Sequence, residues 1–573
     1  MRIIAILAFI CALNLSAQNF DWASENEYQN TANSFYWKNR TPHKGYWQQD
    51  VWYKINAKLD ANTEVISGEE YIEYTNNSPN DLTQMYFHLY QNAVQPGGLV
   101  DQLYDANKTP HTFGKYESQK LGTEIFEVRI NEQKVEAQVD GTIMKIKLPE
   151  SLKSGSKVNV YVRFKTYFDR GTIRRRMKVY DHHGFKHFNG VHWYPRISVY
   201  DKKFSWEHDP HIGKEFYGNF GQYDVNLSLP NDFICEATGK NMNRSEVLPA
   251  ELWKKIQIKN FKDKPLGSQP SVVVVPNGTY KTWKFHAINV HDFAWTADPT
   301  YRLDIQKYKD VECIALAQEN NASGWQPSAA FLKNVVKVYS EDFGMYAYPK
   351  IVAADAADGM EYPMLTLDGG TYPGHRGLIA HEVGHNWFFG MVGTNETYRA
   401  SMDEGFTQFL TSWSLKKLSP FKADKQIDYS TVYRGYMFDA MDGKDAALNT
   451  HSNDFNSATG HGGGYRHVYY KTATMLYNLE YVLGKDVFRK AMSHYFNQWK
   501  IAHPYTEDFR NSITEYTQTD LNWFFDQWLE STKYVDYAVG KVKHKKGQSI
   551  IEIKRKGSMV MPLDILLTKE NGE

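Results

Sequence analysis

Cysteine is scarce in this sequence, and several other features are missing from it. Only 3 of the 573 residues are cysteine, too few for a framework of disulfide bonds. Lys+Arg and Asp+Glu both number 66, so the formal net charge is zero and no overall basic field exists to attract nucleic acid. After the N-terminal segment, no apolar run approaches the roughly 18 residues of a membrane-spanning helix. These absences exclude a disulfide scaffold and argue against a nucleic-acid-binding or transmembrane protein.

The N terminus, MRIIAILAFICALNLSA, has the layout of a signal peptide. One arginine precedes an apolar run from Ile3 to Leu13, and small residues follow at Ser16 and Ala17. This order of charge, apolar stretch and small residues predicts export with cleavage after Ala17. We therefore expect a signal peptide over residues 1–17 and a periplasmic or secreted mature chain. Cleavage leaves two cysteines, Cys235 and Cys313, which could pair or remain free thiols.

The length suggests roughly three domains. Apolar and polar residues alternate in segments such as YKINAKLD and KVNVYVRFKTYF, which predicts an antiparallel N-terminal β domain over residues 18–230. Helical spacing then dominates, so a mainly helical domain is expected over 231–535. Residues 536–573 read as the start of a small β domain. The predicted fold class is multidomain α+β, with helices over 327–341, 377–392, 403–418, 468–483, 485–499 and 506–529.

The segment HEVGH contains two histidines four residues apart, His381 and His385. On a helix both lie on one face, so they can share a metal ion with Glu382 beside them. Catalytic zinc takes three protein ligands and a water. Glu404 follows His385 after 18 intervening residues and can return to the metal on a second helix. A solvated carboxylate would be the better reading of Glu404 alone, but together with HEVGH the pattern predicts one zinc ion bound by His381, His385 and Glu404.

Three segments together resemble one family of enzymes. HEVGHNW followed by DEGF is similar to the zinc aminopeptidases of the aminopeptidase N and leukotriene hydrolase family, the gluzincins. DGMEYPML resembles the exopeptidase motif of that family, usually GAMEN, and VYYKTATMLYNLEYVLG resembles its Tyr-x-Lys-Gly helix. The resemblance implies a thermolysin-like helical catalytic domain and hydrolysis of the N-terminal peptide bond of peptides.

Two residues are expected to carry the chemistry. Glu382, next to the first ligand, is the expected general base that takes the proton of water and passes it to the leaving amine. By resemblance, Tyr469 stabilises the oxyanion that forms on the substrate. Tyr470 and Tyr465 are neighbouring alternatives, and Lys471 supports the choice of Tyr469 because it matches the family's helix.

The exopeptidase segment is the least regular part of the match. The resemblance implies that Glu361 binds the ammonium group of the substrate, with Gly359 and Met360 lining the substrate. Asp358 stands where the family has its first glycine, and Tyr362 replaces the asparagine. These departures leave the zinc chemistry untouched but make the preferred first residue of the substrate less certain.

Two other functions fit the same motif. A thermolysin-like endopeptidase would use identical zinc chemistry and would not depend on Glu361. A zinc-containing peptide-binding protein without turnover is the second alternative, although every expected catalytic position is present. Peptides are the expected partners, and no feature of the sequence specifies an oligomeric state.

Overall fold

The protein is represented by a computed structural model, which describes residues 25–173, 176–213, 215–419, 425–454 and 466–568. The predicted signal peptide and Tyr465 lie outside these residues. Within the described ranges, no helix has the length and apolar character needed to cross a membrane.

The strands of the described residues, in chain order, are β1 (Asp50–Asp60), β2 (Val65–Thr75), β3 (Leu82–His88), β4 (Thr123–Ile130), β5 (Gln133–Lys134), β6 (Ala137–Asp140), β7 (Ile143–Leu152), β8 (Lys157–Tyr167), β9 (Lys178–His182), β10 (Phe185–Gly190), β11 (Arg196–Ile197), β12 (Tyr200–Asp201), β13 (Ser205–Trp206), β14 (Gly221–Pro230), β15 (Ile234–Ala237), β16 (Lys240–Asn241), β17 (Tyr280–Val290), β18 (Trp295–Asp298), β19 (Tyr301–Tyr308), β20 (Val311–Gln318), β21 (Lys350–Asp355), β22 (Met360–Tyr362), β23 (Leu365–Asp368), β24 (Tyr537–Lys545) and β25 (Gln548–Arg555).

The α-helices are α1 (Leu99–Ala106), α2 (Arg244–Val247), α3 (Ala250–Lys255), α4 (Ser328–Asp342), α5 (Arg376–His385), α6 (Phe406–Leu418), α7 (Lys425–Asp428), α8 (Arg434–Met441), α9 (His467–Leu483), α10 (Lys485–Trp499), α11 (Thr506–Thr517) and α12 (Asn522–Leu529). Single turns of 3-10 helix cover Tyr90–Ala93, Glu117–Gln119, Ile258–Phe261, Glu319–Trp325 and Ser452–Asp454. Wider π turns cover Ser401–Gly405 and Tyr429–Tyr433.

The N-terminal part is built from β-sheets, as predicted. Its largest sheet has the strand order β16-β17-β14-β1-β2-β8-β4-β5, and only β1 and β14 run parallel. Alternate side chains of β8 (Val158, Val160, Val162 and Phe164) are buried, because successive side chains of a strand point to opposite faces. The predicted domain boundary at residue 230 falls between β14 and β17, which pair along their full length. The sheet therefore continues past that boundary through β17.

The C-terminal half combines one sheet with the helices, which confirms the predicted α+β class. Its five strands are ordered β19-β20-β21-β23-β22. Residues 350–370 contain three strands, since Met360–Tyr362 forms the short strand β22 antiparallel to β23. Met364, with a φ of 66°, makes the tight turn between them. β22 lies at the sheet edge, so Glu361 is on an edge strand.

Two predicted helices have different limits in the structure. The helix expected over 377–392 ends at His385, because the next backbone bonds widen: Gly390 N donates to His385 O at 2.8 Å, five residues back. The helix expected over 506–529 is divided into α11 and α12. Gln518 takes a left-handed φ of 50° and ends α11, and the Asp520 carboxylate accepts from Asn522 N at 3.0 Å at the start of α12.

The two cysteines that remain after signal-peptide cleavage do not form a disulfide bond. Cys235 and Cys313 are both buried free thiols, which decides between the two alternatives left open by the sequence.

At the other end of the described chain, β24 and β25 form a hairpin. The segment after it docks on α12, where the Gln527 side chain bonds the backbone N of Val560 at 2.7 Å and its carbonyl at 3.1 Å.

Candidate metal centre and active site

The three predicted metal ligands converge on one point. α5 presents His381 and His385 one turn apart, and the π turn before α6 presents Glu404. The two Nε2 atoms are 3.2 Å apart. Glu404 Oε2 lies 3.2 Å from Nε2 of His381 and 3.3 Å from Nε2 of His385. These three atoms, which we call the ligand triangle, are brought together from 24 residues of chain.

The spacing of the ligand triangle fits zinc. Zinc binds histidine nitrogen and carboxylate oxygen at about 2.0–2.2 Å in a tetrahedral arrangement, which separates two ligand atoms by roughly 3.3–3.6 Å. The observed separations of 3.2–3.3 Å lie at the short end of that range on all three sides. Burial also lowers the pKa of His381, which favours the neutral imidazole that a metal requires.

The histidines are held in place through their other ring nitrogens. The Nδ1 of His385 bonds the carboxylate of Asp403, with Thr407 Oγ1 at 3.3 Å. Nδ1 of His381 lies 3.3 Å from Thr411 Oγ1. Such partners fix ring orientation, and losing one typically costs a metal site about 10–100-fold in affinity. Sequence reasoning missed Asp403, although its place directly before Glu404 in the same turn was a usable signal.

Glu382 lies beside the ligand triangle and is 4% exposed. Its Oε2 has no hydrogen-bond partner among the described residues. Burial raises the pKa of Glu382 well above its usual value, and the Glu361 carboxylate adds to the rise. Gly359 packs closely against it, since a Cβ at that position would lie 3.1 Å from Glu382 Oε1. The glycine therefore leaves room for the carboxylate to face the metal site.

Tyr469 reaches the ligand triangle from the first turn of α9. Its hydroxyl donates to Glu404 Oε1, and its ring lies 6.0 Å from that of His381 with 16° between the planes. Tyr470, one of the alternatives, packs against Gly435 instead, where its ring would be 2.4 Å from an added Cβ. Of these two tyrosines, only Tyr469 contacts a predicted ligand.

The approach of α9 to the metal centre depends on a glycine and a buried lysine. A Cβ at Gly405 would lie 2.2 Å from Cβ of Thr472, so only glycine allows the two elements to come this close. Lys471 is fully buried, and its Nζ donates to Asp445 at 3.0 Å and to the carbonyls of Ala446 and Ser531 at 2.8 Å. These contacts anchor the helix that carries Tyr469.

Glu361, on β22, also lies close to the ligand triangle. One oxygen of Glu361 and ligand atoms of His385, Asp403 and Glu404 all lie within 4.8 Å of one another. Glu361 is 3% exposed, and its Oε1 has no hydrogen-bond partner among the described residues. Burial raises its pKa well above the usual value. The structure thus brings a carboxylate of the exopeptidase segment within 4.8 Å of two of the three predicted metal ligands.

The other residues of the exopeptidase segment contact the N-terminal β part. Met360 is buried with its sulfur against the guanidinium of Arg176. Asp358 pairs with Lys178 at 2.7 Å. Tyr362 stacks on Phe216, with centroids 5.7 Å apart and 7° between the planes.

Residues from distant parts of the chain complete the surroundings of Glu361. Glu215 and Glu396 each bring a carboxylate oxygen within 4.8 Å of that of Glu361. Arg176 Nη2 donates to both oxygens of Glu215 at 2.7 Å. Sequence reasoning missed all three of these residues, because no local motif marks them and only the fold brings them together.

The ligand triangle, the adjacent glutamate and the tyrosine define a metallopeptidase-type centre of the HExxH-plus-Glu class. Residues 374–528 match the model of the Peptidase family M1 domain. The predicted resemblance to the zinc aminopeptidases of the aminopeptidase N and leukotriene hydrolase family is thereby confirmed, with the family model matching residues 374–528.

Curated relatives share part of the sequence, and a solved structure shares the fold. The chain is 27% identical over 161 residues to "Probable aminopeptidase 1" of Sulfurisphaera tokodaii, a match covering 27% of this chain and 20% of that protein. It is 25% identical over 269 residues to leucine aminopeptidase 2 of Chaetomium globosum, covering 44% and 42%. The chain thus spans less than half the length of these relatives. A mutant M1 zinc metallopeptidase from Deinococcus radiodurans shares the fold, with a TM-score of 0.58 and 12% identity over 85% of this chain and 95% of that one.

Proposed function

We propose that the protein is an exported zinc aminopeptidase, which hydrolyses the N-terminal peptide bond of peptides. The observation that carries this proposal is the short distance between Glu361 and the ligand triangle. One carboxylate oxygen of Glu361, a ring nitrogen of His385 and one carboxylate oxygen of Glu404 all lie within 4.8 Å of one another, and a residue of extended peptide spans about 3.3–3.6 Å. A substrate ammonium on Glu361 therefore places the first peptide bond, and no later one, at the metal.

The resident ion in this proposal is a single zinc bound by His381, His385 and Glu404. When bound, zinc polarises the scissile carbonyl and lowers the pKa of a coordinated water. Glu382 takes the proton from the attacking water and delivers it to the nitrogen of the leaving amine. Its unpartnered Oε2 and the open space left by Gly359 support this role.

Tyr469 supplies the second stabilising contact in the proposed mechanism. Its hydroxyl, which donates to Glu404 in this structure, donates to the carbonyl oxygen of the substrate as negative charge develops there. A donor placed in this way contributes about 10²–10³ in rate. The anchoring of α9 through Lys471 supports the role, because it fixes the helix that carries the donor.

Glu361 determines where cleavage occurs in this proposal. A buried carboxylate binds a primary ammonium strongly, since the pair is charged and shielded from water. β22 pairs with β23 on one side only, so its other edge can pair with the substrate backbone as an added strand. Asp358 and Tyr362 tie this strand to the N-terminal β part, and we infer that the pocket for the first side chain is built there.

The test compares peptides with free and acetylated N termini. The purified zinc-loaded protein is expected to release the first amino acid from a free peptide and to leave the acetylated peptide intact, as mass spectrometry of the products would show. Glu361→Ala should lose the preference for free N termini. Equal cleavage of acetylated peptides at internal bonds, unaffected by Glu361→Ala, would establish an endopeptidase instead. Export is tested by sequencing the N terminus of the mature protein, which we expect at Gln18.

A further inference from the structure

Glu361 is one of three carboxylates that form a cluster next to the ligand triangle. Glu215 comes from the segment before β14, Glu361 from β22 and Glu396 from the loop between α5 and α6. One oxygen of each lies within 4.8 Å of the others, and each residue is no more than 3% exposed. We call these three residues the carboxylate cluster.

Two members of the carboxylate cluster have an oxygen with no protein partner. Oε1 of Glu361 and Oε1 of Glu396 are both buried and accept no hydrogen bond from the described residues. A buried carboxylate without a donor is costly, because it loses its hydration and gains nothing in return. The two oxygens therefore point to a cation that binds between them.

Arg176 determines which part of the carboxylate cluster is available. Its guanidinium donates to both oxygens of Glu215 at 2.7 Å, so that carboxylate already has its counter-charge. Only Glu361 and Glu396 remain to bind a further cation. A divalent metal takes more oxygen ligands than two and would lie close to the guanidinium charge, so this arrangement disfavours a second metal.

The position of Glu396 is well defined by its surroundings. Its Oε2 accepts from the backbone N of Phe216 at 3.4 Å, and its carbonyl accepts from Ser452 Oγ at 3.1 Å. These contacts leave Oε1 buried and without a partner among the described residues. A residue held by its backbone and one oxygen in this way is suited to receive a ligand on the other.

We propose that Glu396 is the second carboxylate for the substrate's N-terminal ammonium, which bridges Oε1 of Glu361 and Oε1 of Glu396. A primary ammonium has three N–H donors, enough for both oxygens at once. In a substrate that begins with lysine, the N-terminal ammonium and the side-chain ammonium are separated by the full length of the side chain. The two therefore do not fit together in a cluster 4.8 Å across. The proposal rests on the aminopeptidase function proposed above and adds a specificity residue to it.

The experiment measures how strongly the site discriminates for the ammonium. Calorimetry on the zinc-loaded full chain, with Glu382→Gln added to every protein so that the amide is not hydrolysed, gives the Kd of leucinamide and of its desamino analogue, 4-methylpentanamide. We expect Glu396→Gln to reduce the ratio of these two Kd values by about 10- to 100-fold, as for loss of one charged hydrogen bond. Zinc content should remain at one ion per chain, and Glu396→Asp should recover part of the ratio.

A matched control is available in the N-terminal sheet. Glu70 is also fully buried with both oxygens unpartnered, so Glu70→Gln makes the same chemical change away from the site and should leave the ratio unaltered. Thermal unfolding of each variant checks that it is folded. If Glu396→Gln does not fold, the ratio for Glu396→Asp decides, since wild-type discrimination in that variant would contradict the proposal.

The possible outcomes separate this inference from the function it rests on. A ratio unchanged in Glu396→Gln but lost in Glu361→Gln overturns the role of Glu396 and leaves the aminopeptidase function standing. Two zinc ions per chain that fall to one in Glu396→Gln would also overturn it, as would an effect confined to lysinamide. If the wild type binds both amides equally and cleaves acetylated peptides, the proposed function itself has failed.

Discussion

The ligand triangle and the carboxylate cluster are neighbours, but they differ in whether their polar atoms have hydrogen-bond partners. In the triangle, the ring nitrogens that face away from the metal position have partners: Nδ1 of His385 bonds Asp403, and Nδ1 of His381 contacts Thr411. In the carboxylate cluster, Glu361 and Glu396 each have a buried oxygen without a partner. The first group is oriented by the protein itself, whereas the second is arranged around charge that a ligand must supply.

This is the difference expected between a site that holds a resident ion and a site that binds a substrate transiently. A metal site needs rigid ligands in the correct tautomer, which outer hydrogen bonds provide. A substrate site gains discrimination when its polar groups are left unpaired by the wrong ligand. The two groups therefore fail in different ways when they are altered, and four tests follow from the contrast, beginning with the largest expected effect.

Glu382 lies beside the ligand triangle and belongs to neither group. Glu382→Gln should lower kcat by about 10³–10⁴-fold, because no base remains to take the proton of water, while zinc stays bound. His381→Ala should instead lose the metal itself. Metal analysis and peptide hydrolysis of both variants check this pair. Full zinc occupancy in His381→Ala would refute the ligand assignment.

Tyr469→Phe removes a donor but no ligand. The expected loss in kcat is about 10²–10³-fold, with little change in substrate affinity and none in zinc content. Steady-state kinetics and metal analysis measure both. Tyr470→Phe, one residue along the same helix, is the matched control and should retain activity, since its ring packs on Gly435.

Asp403→Asn alters the support of the ligand triangle without changing a ligand. The amide no longer supplies the charge that orients His385, and zinc affinity should fall by about 10–100-fold. Competition with a chelator of known affinity gives the value. Unaltered affinity would show that the orientation of His385 is fixed by packing on α6 instead.

Asp368 offers the smallest effect, and one that depends on pH. It ends β23 with Oδ1 buried and unpartnered, and burial raises its pKa to about 7. A raised carboxyl pKa destabilises the folded protein as pH rises from about 4, the ordinary value, up to about 7. Asp368→Asn should therefore stabilise the protein by about 1–2 kcal/mol at pH 8 and have no effect near pH 4. Unfolding measured at both values gives the sign, and a gain that is equal at both would contradict it.

The ligand triangle could be predicted from the sequence because its geometry is local. A helix fixes the relative direction of residues four apart, which places His381 and His385 together, and the second helix follows closely enough to return Glu404. Tyr469 could be predicted only by resemblance, since nothing in its own neighbourhood distinguishes it from Tyr470. What separates them is the close approach at Gly405, a feature of tertiary packing.

The carboxylate cluster could not be predicted for the converse reason. Glu215, Glu361 and Glu396 lie on three elements whose meeting depends on the packing of the β part against the C-terminal half. The same limit applies to the fold. Alternation in β8 predicted a strand, but the pairing of β14 with β17 across about 50 residues moved the edge of the sheet beyond residue 230. Helix ends such as Gln518 depend on single backbone angles that periodicity does not specify.

In the proposed aminopeptidase, the short distance from Glu361 to His385 and Glu404, within 4.8 Å, would limit each cut to a single residue. Such an enzyme would turn one long peptide into a succession of substrates, each shorter by one unit and each presenting a new ammonium. The order in which amino acids appear in solution then repeats the order in which they were joined. A time course of free amino acids released from a single peptide should therefore read its sequence from the N terminus.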